Sequence, residues 1–310
     1  MFSLKQITDK DKEESVVVLG FFDGVHRGHK RLIEKAREKA SELSLPLAIF
    51  TFSSLPTKYG SDFRILTEDE RDGVLAELGV DKIYTANFAA VKDMSAEEFV
   101  KTVLIDKLHT RVAFSGSDFR FGMGARGSFC DLKAEMIKNG ADAFCIDEVV
   151  VSGEKISSSK IKELLKRGFI REANALLTLP YFLDGTVVKG RGVGKSLGFP
   201  TVNCDIPSEK AILKNGVYRT KIICGEESYD ALTNVGACPT FEERQIHAES
   251  FLLDFDGDFY TKRVRIVFLD FLREEVKFEN HNMLIEQIKK DVQTSKGLIC
   301  QENGQSSQQP

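Results

Sequence analysis

The chain has 310 residues, room for two ordinary domains, and its 42% hydrophobic and 29% charged residues are the balance of a protein with real cores. A formal net charge of -4 argues against a nucleic-acid backbone or an anionic membrane as partner, so any bound phosphate must be held by local groups. Six scattered cysteines without a CxxC pair indicate neither a zinc site nor a disulfide framework, and fit a reducing cytoplasm.

The opening segment MFSLKQITDKDKEE is charged and lacks the apolar run of a signal peptide. No stretch approaches the ~20 apolar residues of a membrane span, so a cytoplasmic protein with no membrane partner is expected. VVVLGFF (16–22) then reads as a buried strand. Apolar residues at Leu32, Ile33, Ala36, Ala40 and Leu43 have helical spacing. LPLAIFTF (45–52) is a second strand. Thr67 with Glu70 forms a capping box that opens a helix, which Gly79 closes. A third strand spans 82–86. Ser95 with Glu98 opens another helix, expected to run to Leu108. A fourth strand spans 111–115, a helix spans 128–138, and 141–150 returns as strand. Strands alternating with helices predict a mainly parallel sheet covered on both faces.

The pattern changes after Leu179-Pro180. Short strand-like runs follow at 182–188, 217–224, 229–235, 250–255 and 263–272, separated by turn signals. They predict a compact antiparallel barrel, closed off by an amphipathic helix over 282–292. The expected domains are 1–178 and 179–300, with a polar, disordered tail over 301–310.

The first motif, GFFDGVHRGH, joins the first strand to the first helix. Ligands of a parallel sheet sit outside the carboxyl ends of its strands. Gly20, Gly24 and Gly28 let the backbone approach a phosphate. His26 and His29 fall at the helix N-terminus, where free N–H groups favour anions. Two imidazoles there can donate to oxygens that gain charge on an attacked α-phosphate. The plain alternative is a turn carrying two surface histidines. Downstream, Ser157, Ser158 and Ser159 precede the periodic Ile161, Leu164 and Leu165. One serine is expected as the helix N-cap, with the other hydroxyls left for a phosphate.

These residues carry a resemblance. Residues 15–170 resemble the HxGH nucleotidylyltransferases, specifically the FMN adenylyltransferase domain of prokaryotic bifunctional riboflavin kinase/FAD synthetases. The family pattern G-x-F-D-G-x-H-x-G-H is met by Gly20, Phe22, Asp23, Gly24, His26, Gly28 and His29. Its G-x-D-F-x-F-G stretch is met by Gly116, Asp118, Phe119, Phe121 and Gly122, and its I-S-S-T-x-I-R stretch is approximated by ISSSKIK (156–162). The resemblance implies that both histidines are catalytic. It also implies that Gly20, Phe22, Asp23, Gly24, Gly28, Asp118, Gly122, the three serines and Lys162 hold the nucleotide, with Phe119 and Phe121 at the flavin. The chain departs from the family at Leu55, where a histidine is usual, at Lys162, where an arginine is usual, and at Phe21, commonly asparagine.

The second motif is KGRGVGKSLGFPTVN (189–203). It fails as a Walker A loop, because only three residues separate Gly190 from Gly194-Lys195-Ser196 and a proline stands where the helix should begin. Residues 180–292 resemble riboflavin kinases along nearly their whole length. The match includes G-x-x-L-G-F-P-T-x-N, Gly216-Val217-Tyr218, Asn234-Val235-Gly236, Pro239-Thr240-Phe241, Glu249 and LREEVKF (272–278). By resemblance, Gly194, Gly198 and Pro200 hold nucleotide, Thr201 and Asn203 hold Mg²⁺, Glu249 is the catalytic base and Arg273 lies at the flavin end. Lys195 and Phe251 replace a common arginine and a common histidine.

The expected architecture is therefore α/β: a Rossmann-like nucleotidylyltransferase domain followed by an antiparallel β-barrel riboflavin kinase domain. The expected function is phosphorylation of riboflavin to FMN with MgATP, then adenylylation of FMN to FAD with release of pyrophosphate. The alternatives are a riboflavin kinase with a degenerate first domain, and a flavin-binding regulator without turnover.

Overall fold

The computed structural model describes residues 13–53, 63–151, 153–188, 201–210, 213–237, 246–253, 255 and 259–306. The chain divides into two compact units, Met1–Ile161 with Leu176–Leu179, and Lys162–Ala175 with Pro180–Pro310.

The first unit is built on β1 (Ser15–Leu19), α1 (Arg27–Leu43), β2 (Leu47–Phe52), α2 (Glu68–Glu77), β3 (Lys82–Ala86), α3 (Ala96–Glu98), β4 (Thr110–Gly116), α4 (Phe129–Lys138) and β5 (Asp142–Ile146). All five strands pair in parallel, in the order β3-β2-β1-β4-β5. Every residue of β1 is buried, which is why this strand reads as an unbroken apolar run: a central parallel strand meets core on both faces. The run was expected to reach Phe22 but stops at Leu19, because Phe22 turns the chain with a φ of 57°. Leu32, Ile33, Ala36 and Ala40 form the buried face of α1, as their spacing predicts.

Both expected capping boxes deserve comparison. The Thr67 hydroxyl accepts from the Glu70 amide at 3.3 Å while the Glu70 carboxylate accepts from the Thr67 amide at 2.8 Å. Ser95 caps α3 by accepting from the Glu98 amide at 3.1 Å but makes only this half of the expected box, and three residues later the helix widens into π-type turns over Phe99–Ile105 and ends short of Leu108. The final strand is also shorter than expected, ending at Ile146. A small hairpin of β6 (Val150–Val151) and β7 (Glu154–Lys155) then leads into α5 (Ser158–Arg167) and α6 (Ile170–Leu176).

The second unit contains β8 (Phe182–Thr186), β9 (Thr201–Asp205), β10 (Gly216–Cys224), β11 (Glu227–Ala237), β12 (Ile246–Leu252), β13 (Arg263–Arg273) and α7 (His281–Ser306). The six strands are antiparallel in the order β8-β13-β10-β11-β12-β9. The ends of the sheet meet where the Val188 amide donates to the Asn203 carbonyl at 2.9 Å, which nearly closes the barrel. β9 was not foreseen as a strand. It is five residues long and follows a glycine-rich segment, so its alternation of Val202 and Cys204 inward is easily read as loop. α7 continues past the expected end at Val292 and into the stretch expected to be disordered. Asp291 and the fully buried Ser295 stay on one face at helical spacing, and a small polar residue at a buried position hides the pattern from a search for apolar periodicity.

Residues 162–175 belong with the second unit through specific bonds. Arg171 pairs with Asp270, and the Asn174 side-chain amide donates to the Phe268 carbonyl at 2.8 Å. Asp270 also accepts from the buried Arg219 at 2.6 Å. Replacing Asp270 by alanine leaves the Arg219 guanidinium buried without this counter-charge, which costs about 3–5 kcal/mol. Urea unfolding of Asp270→Ala, followed by a probe in the barrel, should show that loss, whereas the double variant Asp270→Leu/Arg219→Met should recover most of it.

Candidate active sites

The first unit opens a cavity of about 660 Å³ at the carboxyl ends of β1, β4 and β5. β1 lies between β2 and β4, so the strand order reverses there and the connections leave a crevice. Gly20, His26, Gly28, His29, Asp118, Phe119, Phe121, Gly122, Ser157 and Ser158 all line this cavity, so it unites three motifs that are separate in sequence.

Local chain strain shapes its floor. Phe22, Gly24 and Val25 all take positive φ, at 57°, 79° and 40°. A β-branched residue rarely adopts this conformation, and Val25 and Phe22 are held in it by complete burial. Gly24 must be glycine for a second reason, since a Cβ would stand 2.7 Å from Ile65 Cδ1. Asp23 is buried and accepts from the Ile65 amide at 2.8 Å. Phe22, Asp23 and Gly24 are thus the support under the cavity and do not line it.

His26 is the N-cap of α1. Its Nδ1 accepts from the His29 amide at 3.3 Å, which places its proton on Nε2. The His26 and His29 rings stack with centroids 3.7 Å apart and planes 14° from parallel. The Gly28 Cα lies against this pair, where an added Cβ would meet His26 Cε1 and Nδ1 at 3.1 Å. Burial pushes the His26 pKa down to about 4, with the charge of Asp118 pulling it up and that of Lys155 pushing it down. His29 is held well below its usual value by burial and then by His26. Both rings are therefore neutral at pH 7, and each offers one N–H donor rather than a full charge.

The serine cluster divides its roles. Ser157 accepts from the Lys160 amide at 3.3 Å, capping α5 and keeping its own proton to donate. Ser158 donates to the Asp23 carbonyl at 2.8 Å, so its proton is taken. Ser159 is exposed and, with Lys162, is not among the lining residues. The expectation of two uncommitted hydroxyls is corrected to one, because the Ser158 hydroxyl ties α5 to the loop beneath the histidines.

The far wall is aromatic. Phe119 and Phe121 lie nearly parallel at 5.7 Å, Phe121 contacts Phe99 at 5.4 Å, and Phe52 meets Phe88 at 5.4 Å. A planar ring system fits such a wall through offset stacking and edge contacts. Asp118 sits at its edge in an ion pair with Lys155 at 2.7 Å. Lys155, Glu148 and the phenylalanines 52, 88 and 99 were not singled out from sequence. The one available signal was a lysine placed two residues before the serine cap.

The second unit has a cavity of about 270 Å³ between the barrel and α7. Glu249, Asn234, Val217 and Arg273 line its barrel side as one cross-strand row, which Asn203 continues beyond the lining residues. Asn203 pairs with Glu249, Glu249 with Asn234, Asn234 with Val217 and Val217 with Arg273. Directly opposed residues share one face of a sheet, so this register brings five strands' worth of side chains to one surface. One step along, Thr201 opposes Phe251, which opposes Leu232. The Thr201 hydroxyl donates to Glu249 Oε1 at 3.0 Å. That leaves the lone pairs of Thr201 for a cation. Asn203 follows at i+2 on the same face of β9. No group of three or more His, Cys, Asp or Glu side chains suited to a metal occurs among the described residues.

Leu284, Ile288 and Asp291 form the opposite wall, on the helix predicted over 282–292, though none of them was singled out as a site residue from sequence. Arg273 is locked to the buried Asp291 by bonds from Nε at 3.0 Å and Nη2 at 2.8 Å, and Gln287 adds a bond to the same carboxylate at 2.9 Å. Gly194, Gly198 and Pro200 lie outside the described residues, as does Leu55.

The depressed histidine pKa has a measurable consequence. Between pH 6.5 and about 4 the unfolded chain binds a proton at His26 that the folded chain refuses, so stability falls as pH drops through that window. The loss integrates to about 3 kcal/mol. Urea denaturation of the first unit at pH 7 and pH 4.5 should show it, and His26→Asn, which keeps a capping acceptor, should lose much of the dependence. A His26 imidazole NMR signal that titrates near 6.5 would contradict the assignment.

Comparison with known proteins was consistent for both units. Residues 8–160 match the FAD synthetase family model and residues 177–299 match the riboflavin kinase family model. The bifunctional riboflavin kinase/FMN adenylyltransferase of Listeria monocytogenes is 32% identical over 92% of each chain, and that of Bacillus subtilis is also 32% identical over 92% of each. The Escherichia coli K12 counterpart is 30% identical over 94% of this chain and 95% of its own. Among solved structures, a Streptococcus pneumoniae protein described as a macrolide-efflux protein superposes with a TM-score of 0.84 at 29% identity, over 95% of this chain and 96% of that one. In the present chain no described helix is long and apolar enough to cross a membrane. With full-length relatives above 30% identity and a family match on each unit, the chain belongs to the bifunctional riboflavin kinase/FMN adenylyltransferase family.

Proposed function

We propose that the second unit phosphorylates riboflavin with ATP and that the first adenylates the FMN so formed, releasing pyrophosphate. The observation that carries this reading is that each unit holds its own cavity with its own reactive set: the stacked neutral histidines in one, the hydrogen-bonded Thr201–Glu249 pair in the other. A single-activity kinase has no use for the first cavity, and the FAD synthetase match favours the bifunctional reading over it.

In the first cavity, a phosphate oxygen of FMN attacks the α-phosphorus of ATP and the bond to the β-phosphate oxygen breaks. His26 Nε2–H, the His29 ring and the amino ends of α1 and α5 donate to oxygens on which charge grows. A neutral donor suits this step, because it stabilises the developing charge without trapping the anionic product. The aromatic wall around Phe119 and Phe121 receives the isoalloxazine ring. Gly20, Gly28, Gly122, Asp118 and Ser157 lie along the nucleotide.

In the second cavity, Glu249 accepts the proton of the ribityl 5′-hydroxyl as its oxygen attacks the γ-phosphorus. The Thr201 hydroxyl and the Asn203 amide oxygen would hold Mg²⁺, which when bound offsets phosphate charge. Arg273, fixed in place by Asp291, stands at the flavin end beside Phe278. By motif order we assign adenylylation to 1–178 and phosphorylation to 179–300, although residues 162–175 pack with the second unit. Free thiols at Cys130, Cys145, Cys204 and Cys224 support a cytoplasmic setting.

The test separates products by chromatography after incubation with riboflavin and MgATP. Wild type should yield FMN and then FAD. Glu249→Gln should lower kcat for FMN formation by about 10²–10⁴, while FAD formation from supplied FMN persists. His29→Ala should do the reverse, lowering FAD formation at least ~10²-fold and sparing FMN formation. Loss of both activities in either variant would count against separate sites.

A further inference from the structure

Two neutral histidines leave the first cavity without a full positive charge at its histidine end, although it must receive a polyphosphate. Among the described residues, three cations line it: Lys92, Arg120 and Lys155. Lys92 sits beside Asp93 at 4.0 Å, and Arg120 is exposed, turning Nη1 toward the carbonyls of Ser117 and Phe119. Lys155 is placed differently. It ends β7, two residues before the Ser157 cap of α5. Its ammonium bridges Asp118 at 2.7 Å, just after β4, and Glu148, just after β5. An ammonium has three donors, and these two carboxylates use two. Its charge is also felt at His26, which sets it near the capped start of α1.

We propose that Lys155 is a phosphate-binding residue of the first cavity, with Asp118 and Glu148 as competitors that hold it in place until ATP arrives. This rests on the reading that the first cavity takes ATP. The trio of one ammonium and two carboxylates carries a net negative charge, so without nucleotide it opposes a polyphosphate. A long side chain that is 40% exposed can turn its remaining donor to a phosphate oxygen with little movement of the backbone. The arrangement keeps an otherwise uncompensated cation solvated and oriented in the empty cavity, at the expense of some nucleotide affinity.

The prediction has opposite signs at the two ends of one ion pair. In the full-length chain, Lys155→Met should lower kcat/KM for ATP in FMN adenylylation by about 10- to 100-fold, the worth of a charged hydrogen bond. Lys155→Arg should recover part of it. Glu148→Gln should lower the KM for ATP, and the gain should shrink when Lys155 is already methionine. A merely structural tie predicts that Lys155→Met and Glu148→Gln impair the reaction alike, and that result overturns the proposal. FMN formation from riboflavin reports on folding in every variant and should not change. A second readout is independent of turnover: ATP titration followed by the His26 imidazole NMR signal, in which Lys155→Met should weaken binding. Absence of FAD from the wild type would count against the adenylylation reading alone, while an unweakened ATP response in Lys155→Met would count against Lys155.

Discussion

A central parallel strand has core on both faces, and this constraint organises the first unit. Val16, Val17 and Val18 leave no polar side chain along the middle of the sheet. Chemistry is therefore confined to the strand ends, where the chain must also turn from strand to helix within a few residues. Positive φ at Phe22, Gly24 and Val25 makes that turn short enough to deliver His26 to the first position before α1. The same burial that fixes the turn strips water from His26 and His29, and so lowers their pKa values. Support, position and protonation state thus share one cause.

The second unit meets a phosphate by a different route. A barrel offers no helix N-terminus at its wall, so its polar groups come from cross-strand register. The row from Asn203 through Glu249 and Asn234 to Arg273 exists only because β9 pairs with β12 and nearly closes the sheet. On the barrel's interior, Thr220, Thr233 and Ser250 form a chain of hydroxyl contacts at 2.7 and 2.8 Å across neighbouring strands. Ser250 adjoins Glu249 in sequence but faces the other way, so this buried chain anchors β12 while the carboxylate projects into the cavity.

Each cavity ties one of its cations to carboxylates. Lys155 lies between Asp118 and Glu148, and Arg273 is clasped by Asp291. For a chain of net charge -4 that binds anions, pairing keeps each cation oriented without building a basic field that would attract unrelated polyanions. The two pairs differ in burial. Asp291 is 6% exposed and its bond to Arg273 is bidentate, which makes a rigid wall. The Lys155 side chain is 40% exposed, against 21% for Arg273.

Much of this was legible in the residues. Alternation of apolar runs with capped amphipathic segments specified the parallel unit, because hydrophobic period and cap chemistry are local properties. The glycine–histidine junction was legible for the same reason: strand, turn and helix start lie within fifteen residues. The Ser158 bond to Asp23, the Lys155 bridge and the Arg273 clasp were not, since each joins groups that only packing brings together. β9 was missed because it is short and follows a glycine-rich segment, and the far end of α7 because Ser295 is polar at a buried position. The sequence by itself determined which residue types stand at each strand end. Only the tertiary structure decided which of them share a cavity, because register and long-range contact depend on burial free energy summed over the whole unit, not on neighbours in the chain.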